Sequence, residues 1–161
     1  MGLRIMKRRR RENKTDYKLR KGLLKSGIPR IVVRKTNKYF IVQAVESNEA
    51  QDKVIASITS KDLLKNGWDA KMSGSLKSIP AGYLTGLLLA KKLKGKKYIM
   101  DLGMARTFKG SRVFAVVKGL IDGGLDISVN DKVFPSEERL NGEHLKDSLK
   151  NTIAKIKEKL K

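Results

Sequence analysis

The chain has no cysteine and a single histidine, His144. Without thiols there is no disulfide framework, no thiolate nucleophile and no Cys-based zinc site. One imidazole also removes His-rich metal sites and most His-dependent catalytic arrangements. No apolar run approaches the roughly 20 residues of a membrane-spanning helix. The longest, residues 84–90, is interrupted by Thr85 and Gly86. No hydrophobic region follows the early charges, so the beginning does not read as a secretory signal, and a cytoplasmic protein is expected. Acids are scarce: 16 Asp and Glu stand against 37 Lys and Arg, for a formal charge of +21. An excess of that size points to a highly anionic partner.

What is present is unevenly spread. Residues 1–35 hold 14 Lys and Arg against only Glu12 and Asp16, so +12 of the +21 sits in under a quarter of the chain. Residues 7–11 read Lys7, Arg8, Arg9, Arg10, Arg11. Such a run repels itself until a polyanion lies against it, and RNA is the abundant intracellular polyanion. Guanidinium groups fork onto phosphate oxygens, and each neutralised phosphate releases counterions. The plain alternative is a solvated tail. Lys14, Arg20 and Lys35 continue the basic stretch.

Apolar residues make up 40 % of the 161, enough for one globular body with an appended arm. The expected organisation is a basic arm over residues 1–27, an α/β domain over 28–130 and a helical extension over 131–161. Within the arm, an extended lead precedes about two helical turns near residues 16–24. Residues 30–35 and 38–45 are β-branched and aromatic runs joined by a polar turn, which predicts a hairpin. Residues 53–58 extend it into an antiparallel meander, and Thr59 or Ser60 would cap a short helix ending at Gly67. Pro80 opens a helix over 81–93, closing with Lys94 and Gly95. Residues 97–102 form a strand, and Ser111 can cap the next helix, which stops at Gly123 and Gly124. Helical spacing resumes from Glu143 through Leu145, Leu149, Ile153, Ile156 and Leu160. A three-stranded meander followed by helix, strand and helix predicts one mixed sheet in an α/β fold.

The remaining candidates are fewer. Arg106, Lys109 and Arg112 lie in a glycine-bounded loop at a helix start, which is either a phosphate site or an ordinary solvated loop. That loop matches neither the nucleotide P-loop nor the dinucleotide glycine fingerprint, so no nucleotide cofactor is expected. Tyr17, among lysines and arginines, could stack on a base. Of Tyr39 and Phe40, which alternate faces, Phe40 is expected in the core. Asp101, Asp122 and Asp126 are the only carboxylates suited to a metal-dependent nuclease, which needs them to converge. His144 reads as a helix-start residue and Trp68 as a satellite core anchor.

An ordered set of short segments then gives the chain a likeness. Residues 8–17, Pro29 through Arg34, Gln43, residues 110–114 with Lys118 and Gly119, residues 134–136 and residues 142–144 resemble, in that order, the archaeal and eukaryotic form of large-subunit ribosomal protein eighteen, the 5S-rRNA-binding family. The stretch from Phe134 onward is similar to the extension that separates the archaeal form from the shorter bacterial one. The resemblance implies a non-enzymatic α/β protein of the large ribosomal subunit. Its partners would be 5S rRNA at the central protuberance, large-subunit rRNA and neighbouring ribosomal proteins. It also implies Arg8, Arg9, Arg10, Arg11, Lys14, Thr15, Tyr17, Arg30 and Arg34 as RNA contacts, and strengthens Arg106, Lys109 and Arg112. A metal-dependent nuclease and a general basic nucleic-acid-binding protein stand as alternatives.

Overall fold

A computed structural model of the chain describes residues 5–49, 51–93, 97–145 and 147–160. Its centre is a four-stranded sheet in the order β3-β2-β1-β4, with β1 at Arg30–Lys35, β2 at Phe40–Asn48, β3 at Gln51–Thr59 and β4 at Ile99–Asp101. The first three strands run antiparallel as a meander, whereas β4 lies parallel to β1, with Val32 opposite Asp101. The sheet is therefore mixed, as the element order predicts. Thr36 fixes the hairpin turn by accepting the Tyr39 N–H on its hydroxyl and donating that hydroxyl back to the Tyr39 carbonyl. Strand pairing consequently resumes at Phe40 rather than at residue 38.

Alternation along β1 sends Ile31 and Val33 into the core and Arg30, Val32 and Arg34 to the other face. Over the apolar face lie α4 (Ile79–Lys92) and α5 (Arg112–Asp122). The short α3 (Asp62–Lys65) and α6 (Glu137–Asn141) and the longer α7 (Asp147–Leu160) pack on the far side of α4. Two apolar clusters thus share α4 as a wall. One joins the sheet to α5 through Phe40, Val42, Val116 and Leu120, and the other gathers Trp68, Leu140, Ile153 and Ile156. Apolar contact on both sides explains why α4 lacks a polar face. Lys94 and Gly95, expected at its close, lie outside the described residues.

Helices α4 and α5 cross with almost no side chain between them. A Cβ on Gly119 would sit 2.1 Å from the Tyr83 carbonyl oxygen, and one on Gly86 would sit 2.3 Å from that of Val116. Only glycine allows backbones this close.

Three local expectations need correction. Ser60 caps nothing: its hydroxyl accepts the Phe40 N–H at 3.1 Å, and Asp62 instead accepts the Thr59 N–H at 2.9 Å. Ser111 sits at the N-cap of α5 in extended backbone but makes no side-chain cap bond among the described residues. The C-terminal helix starts later than Glu143: α7 begins at Asp147, a separate short α6 ends where Gly142 adopts φ +75, and the exposed His144 lies in the intervening turn and not at a helix start.

Candidate nucleic-acid interface

The arm is folded back rather than extended. Helix α1 (Arg8–Arg11) is a single turn, and Asn13 at φ +52 then reverses the chain. The Lys14 N–H closes the loop on the Arg9 carbonyl at 2.8 Å. Glu12 offsets the repulsion among the arginines, lying 2.8 Å from Lys14 and 3.9 Å from Arg8. Helix α2 (Tyr17–Lys25) follows, with the Asp16 carboxylate accepting the Lys18 and Leu19 N–H groups as a true N-cap.

This folding assigns separate tasks to the expected contacts. Arg8, Arg9, Arg10, Arg11 and Lys14 are exposed. Thr15 is half-buried and holds Arg9, accepting its Nε–H at 2.9 Å. Tyr17 carries the Lys7 ammonium 4.6 Å above its ring, so one of its two faces is already occupied. Arg20 reaches across to β3, 3.3 Å from Asp52, and ties α2 to the face of the sheet opposite the core.

Arg30, expected to face RNA, is only 5 % exposed. Its guanidinium donates to Asp52 at 2.6 Å and to the Ser47 hydroxyl, and lies 3.6 Å from Asp101. A cation enclosed this way is committed to the protein's own carboxylates. Burial would raise the Asp52 carboxyl, but hydrogen bonds from Arg30 and Ser47 and the charges of Arg30 and Arg20 outweigh it and hold it below its ordinary range.

Arg34 is different. It is half-exposed, and its guanidinium is aimed by β4: one nitrogen donates to the Asp101 carboxylate at 2.8 Å, another to the Asp101 carbonyl at 2.8 Å. The same carboxylate accepts the Gly103 N–H at 2.9 Å. Gly103, at φ +58, leaves the room the guanidinium occupies, since a Cβ there would come within 2.9 Å of the Arg34 Cζ.

Two clefts meet at Arg34. The larger, about 700 Å³, lies between the end of β1 and the loop before α5, and Lys14, Arg34, Lys35, Arg106 and Arg112 line it. The smaller, about 120 Å³, runs beneath the arm past Arg9, Thr15 and Arg20. Lys14, Arg34, Gly103 and Met104 belong to both, so arm and loop form one continuous cationic surface. Lys109 is exposed on the same loop but does not line either cleft. Phe108 and Met104, 63 % and 54 % exposed, stand at the rim of the larger.

The candidate catalytic carboxylates do not converge. Asp101 is held by the two arginines, Asp122 accepts the Tyr83 hydroxyl at 3.0 Å and pairs with Lys118, and Asp126 is exposed at a backbone bridge to Lys97. Among the described residues no group of three His, Cys, Asp or Glu could hold a metal ion.

Residues 3–99 and 94–130 match the family described as ribosomal large subunit proteins 60S L5 and 50S L18. The chain belongs to this family. Among its relatives is the large ribosomal subunit protein uL18 of Methanoregula boonei, 45 % identical over 86 % of this chain and 79 % of that protein. The uL18 proteins of Methanoculleus marisnigri and Methanococcus maripaludis are each 46 % identical, over 86 % and 89 % of this chain and 78 % and 74 % of their own lengths. Membership in a ribosomal-protein family replaces the nuclease alternative, since the relatives are named as ribosomal proteins.

For this ribosomal protein, sequence reading finds the cations but misses the groups that arrange them. Asp101, Gly103 and Asp52 set the guanidinium positions, and Ser111 and Phe108 complete the larger cleft. One signal is available: in a chain so poor in acids, an aspartate at the end of an apolar strand is worth pairing with an arginine of a neighbouring strand.

Proposed function

We propose that this protein is a structural constituent of the large ribosomal subunit that binds 5S rRNA and helps attach it to the central protuberance, with further contacts to large-subunit rRNA. The observation that carries the reading is the continuous cationic surface from the arm through Arg34 to the loop before α5. The naming of relatives as uL18 and the ordered family segments favour a ribosomal RNA over other polyanions.

The mechanism is architectural. Arg34 is oriented before RNA arrives, so little side-chain freedom is lost when a phosphate docks. Arg8, Arg9, Arg10, Arg11, Lys14, Arg106, Lys109 and Arg112 supply exposed charge, and neutralised phosphates release counterions. Arg30 acts as a positioning residue inside the sheet. Selectivity comes from RNA shape and unpaired nucleotides, because the A-form major groove is too narrow to admit side chains. The extension is anchored on α4 through Ile153 and Ile156, which leaves Lys155, Glu158 and Lys159 outward for neighbouring ribosomal proteins.

Sedimentation of purified protein with 5S rRNA tests the reading. A complex saturating at one protein per RNA is the expected result. Uptake that continues without a one-to-one plateau would contradict it.

A further inference from the structure

Ser111 is buried, at 4 % exposure, and among the described residues its Oγ is the one buried side-chain polar atom with no hydrogen-bond partner. An unsatisfied buried hydroxyl is costly and calls for a partner. It occupies the N-cap of α5, an 11-residue helix whose first-turn N–H groups receive no side-chain cap, and it lines the larger cleft. Unpaired N–H groups and the helix dipole favour an anion at this point. Arg34, Arg106 and Arg112 line the same space. Ser111 Oγ has no protein partner, and Arg34, though anchored on Asp101, presents its cation to the same cleft.

Beside this anion seat is an apolar one. Phe108 and Met104 are exposed large apolar side chains, yet they flank a cleft lined by Arg34, Arg106 and Arg112. More than half of each side chain is open to solvent, and an exposed ring beside cations suits a ligand with a flat, weakly hydrated face. A nucleotide has both parts, a phosphate and a base. The cleft volume of about 700 Å³ falls within the range of pockets that enclose small molecules, roughly 300–1,000 Å³.

We propose that the cleft between β1 and the loop before α5 is a pocket for one unstacked RNA nucleotide, its phosphate seated on Ser111 and the start of α5 and its base against Phe108. The inference rests on the RNA-binding reading above and adds a ligand class: a looped-out nucleotide, not a duplex backbone. Arg34, Arg106 and Arg112 flank the phosphate, and the Ser111 hydroxyl donates to a phosphate oxygen. Met104 closes the rim beside the base.

The test measures full-chain affinity for 5S rRNA across a salt series, for wild type, Ser111→Ala, Phe108→Ala and Phe108→Leu. Ser111→Ala is expected to bind about 10-fold more weakly, from one lost hydrogen bond to a charged group. Its melting temperature should hold, since the free protein has no bond there to lose. Both Phe108 variants are expected to bind about 5- to 100-fold more weakly. Salt slopes should be unchanged throughout, because no charge is removed. Phe108→Trp adds a direct signal: its emission should be quenched by RNA, against a background from Trp68, which is 3 % exposed. Wild-type affinity in Ser111→Ala overturns the phosphate seat, and wild-type affinity in Phe108→Ala or Phe108→Leu overturns base stacking. In either case the wider RNA-binding reading survives. Failure of the wild-type protein to bind 5S rRNA removes that reading, and this inference with it.

Discussion

The Arg34 guanidinium lies 2.8 Å from the Asp101 carboxylate and, through a second nitrogen, 2.8 Å from the Asp101 carbonyl oxygen. An acid therefore stands within a surface lined by Lys14, Arg34, Arg106 and Arg112. If charge alone governed RNA binding, removing it would strengthen the complex. Because the acid orients the cation, Asp101→Ala is expected to weaken 5S rRNA binding about 10-fold. It should also cost about 2 kcal/mol of stability, as Arg30 loses one of its two carboxylate partners. Titration at fixed salt decides the point, and tighter binding by the variant would refute the positioning role.

Gly103 tests the same arrangement from the other side. A methyl group would meet the Arg34 guanidinium and would also sit at φ +58. Gly103→Ala is expected to destabilise the fold by about 1 kcal/mol and to reduce RNA affinity, with chemical denaturation and filter binding as the two readouts. Wild-type affinity in a folded Gly103→Ala protein would show that the orientation of Arg34 is immaterial.

The Asp52 pairs give stability a defined pH dependence. The folded-state carboxyl is held below its ordinary value of 3.8. Its contribution is fully present above the unfolded value, and it is lost as pH falls through the lower folded value. Unfolding free energies of wild type and Asp52→Asn should differ by a constant amount above about pH 5 and converge below about pH 4. A gap that widens toward acid would carry the wrong sign for this assignment.

The helix crossing makes the sharpest packing prediction. Gly119→Ala places a methyl group against the Tyr83 carbonyl, where neither backbone can yield without moving a helix. A loss of about 3 kcal/mol and a melting temperature lower by ~10 °C are expected by calorimetry. Melting within 2 °C or so of wild type would mean the helices part easily.

The parts legible in the sequence are those set by neighbours along the chain. The meander, the Pro80 helix and the burial of Phe40 follow from β-branched alternation, punctuation and local turn chemistry. Where a distant partner decides, local pattern misleads. Arg30 looks like one more surface cation, but Asp52, 22 residues away, and Asp101 across the parallel pair enclose it. Ser60 looks like a helix cap until the hairpin brings the Phe40 N–H to it. The arm looks extended because its arginines repel. The Asn13 reversal and the Glu12 pairs that fold it back are short-range, yet composition hides them. The cations of the site were therefore visible in sequence, and the acids and glycine that aim them were not.

The proposed surface is expected to recognise 5S rRNA and not polyanions in general. Its most direct test is the affinity of the full chain for 5S rRNA and for a tRNA of similar size, measured over one salt series. Binding to 5S rRNA should be at least about 100-fold tighter at physiological salt. Replacing Arg8, Arg9, Arg10 and Arg11 with alanine should lower the slope of log affinity against log salt by about 3 for both RNAs, leaving much of the preference in place. Equal affinity for the two RNAs, or equal binding to duplex DNA, would contradict the claim.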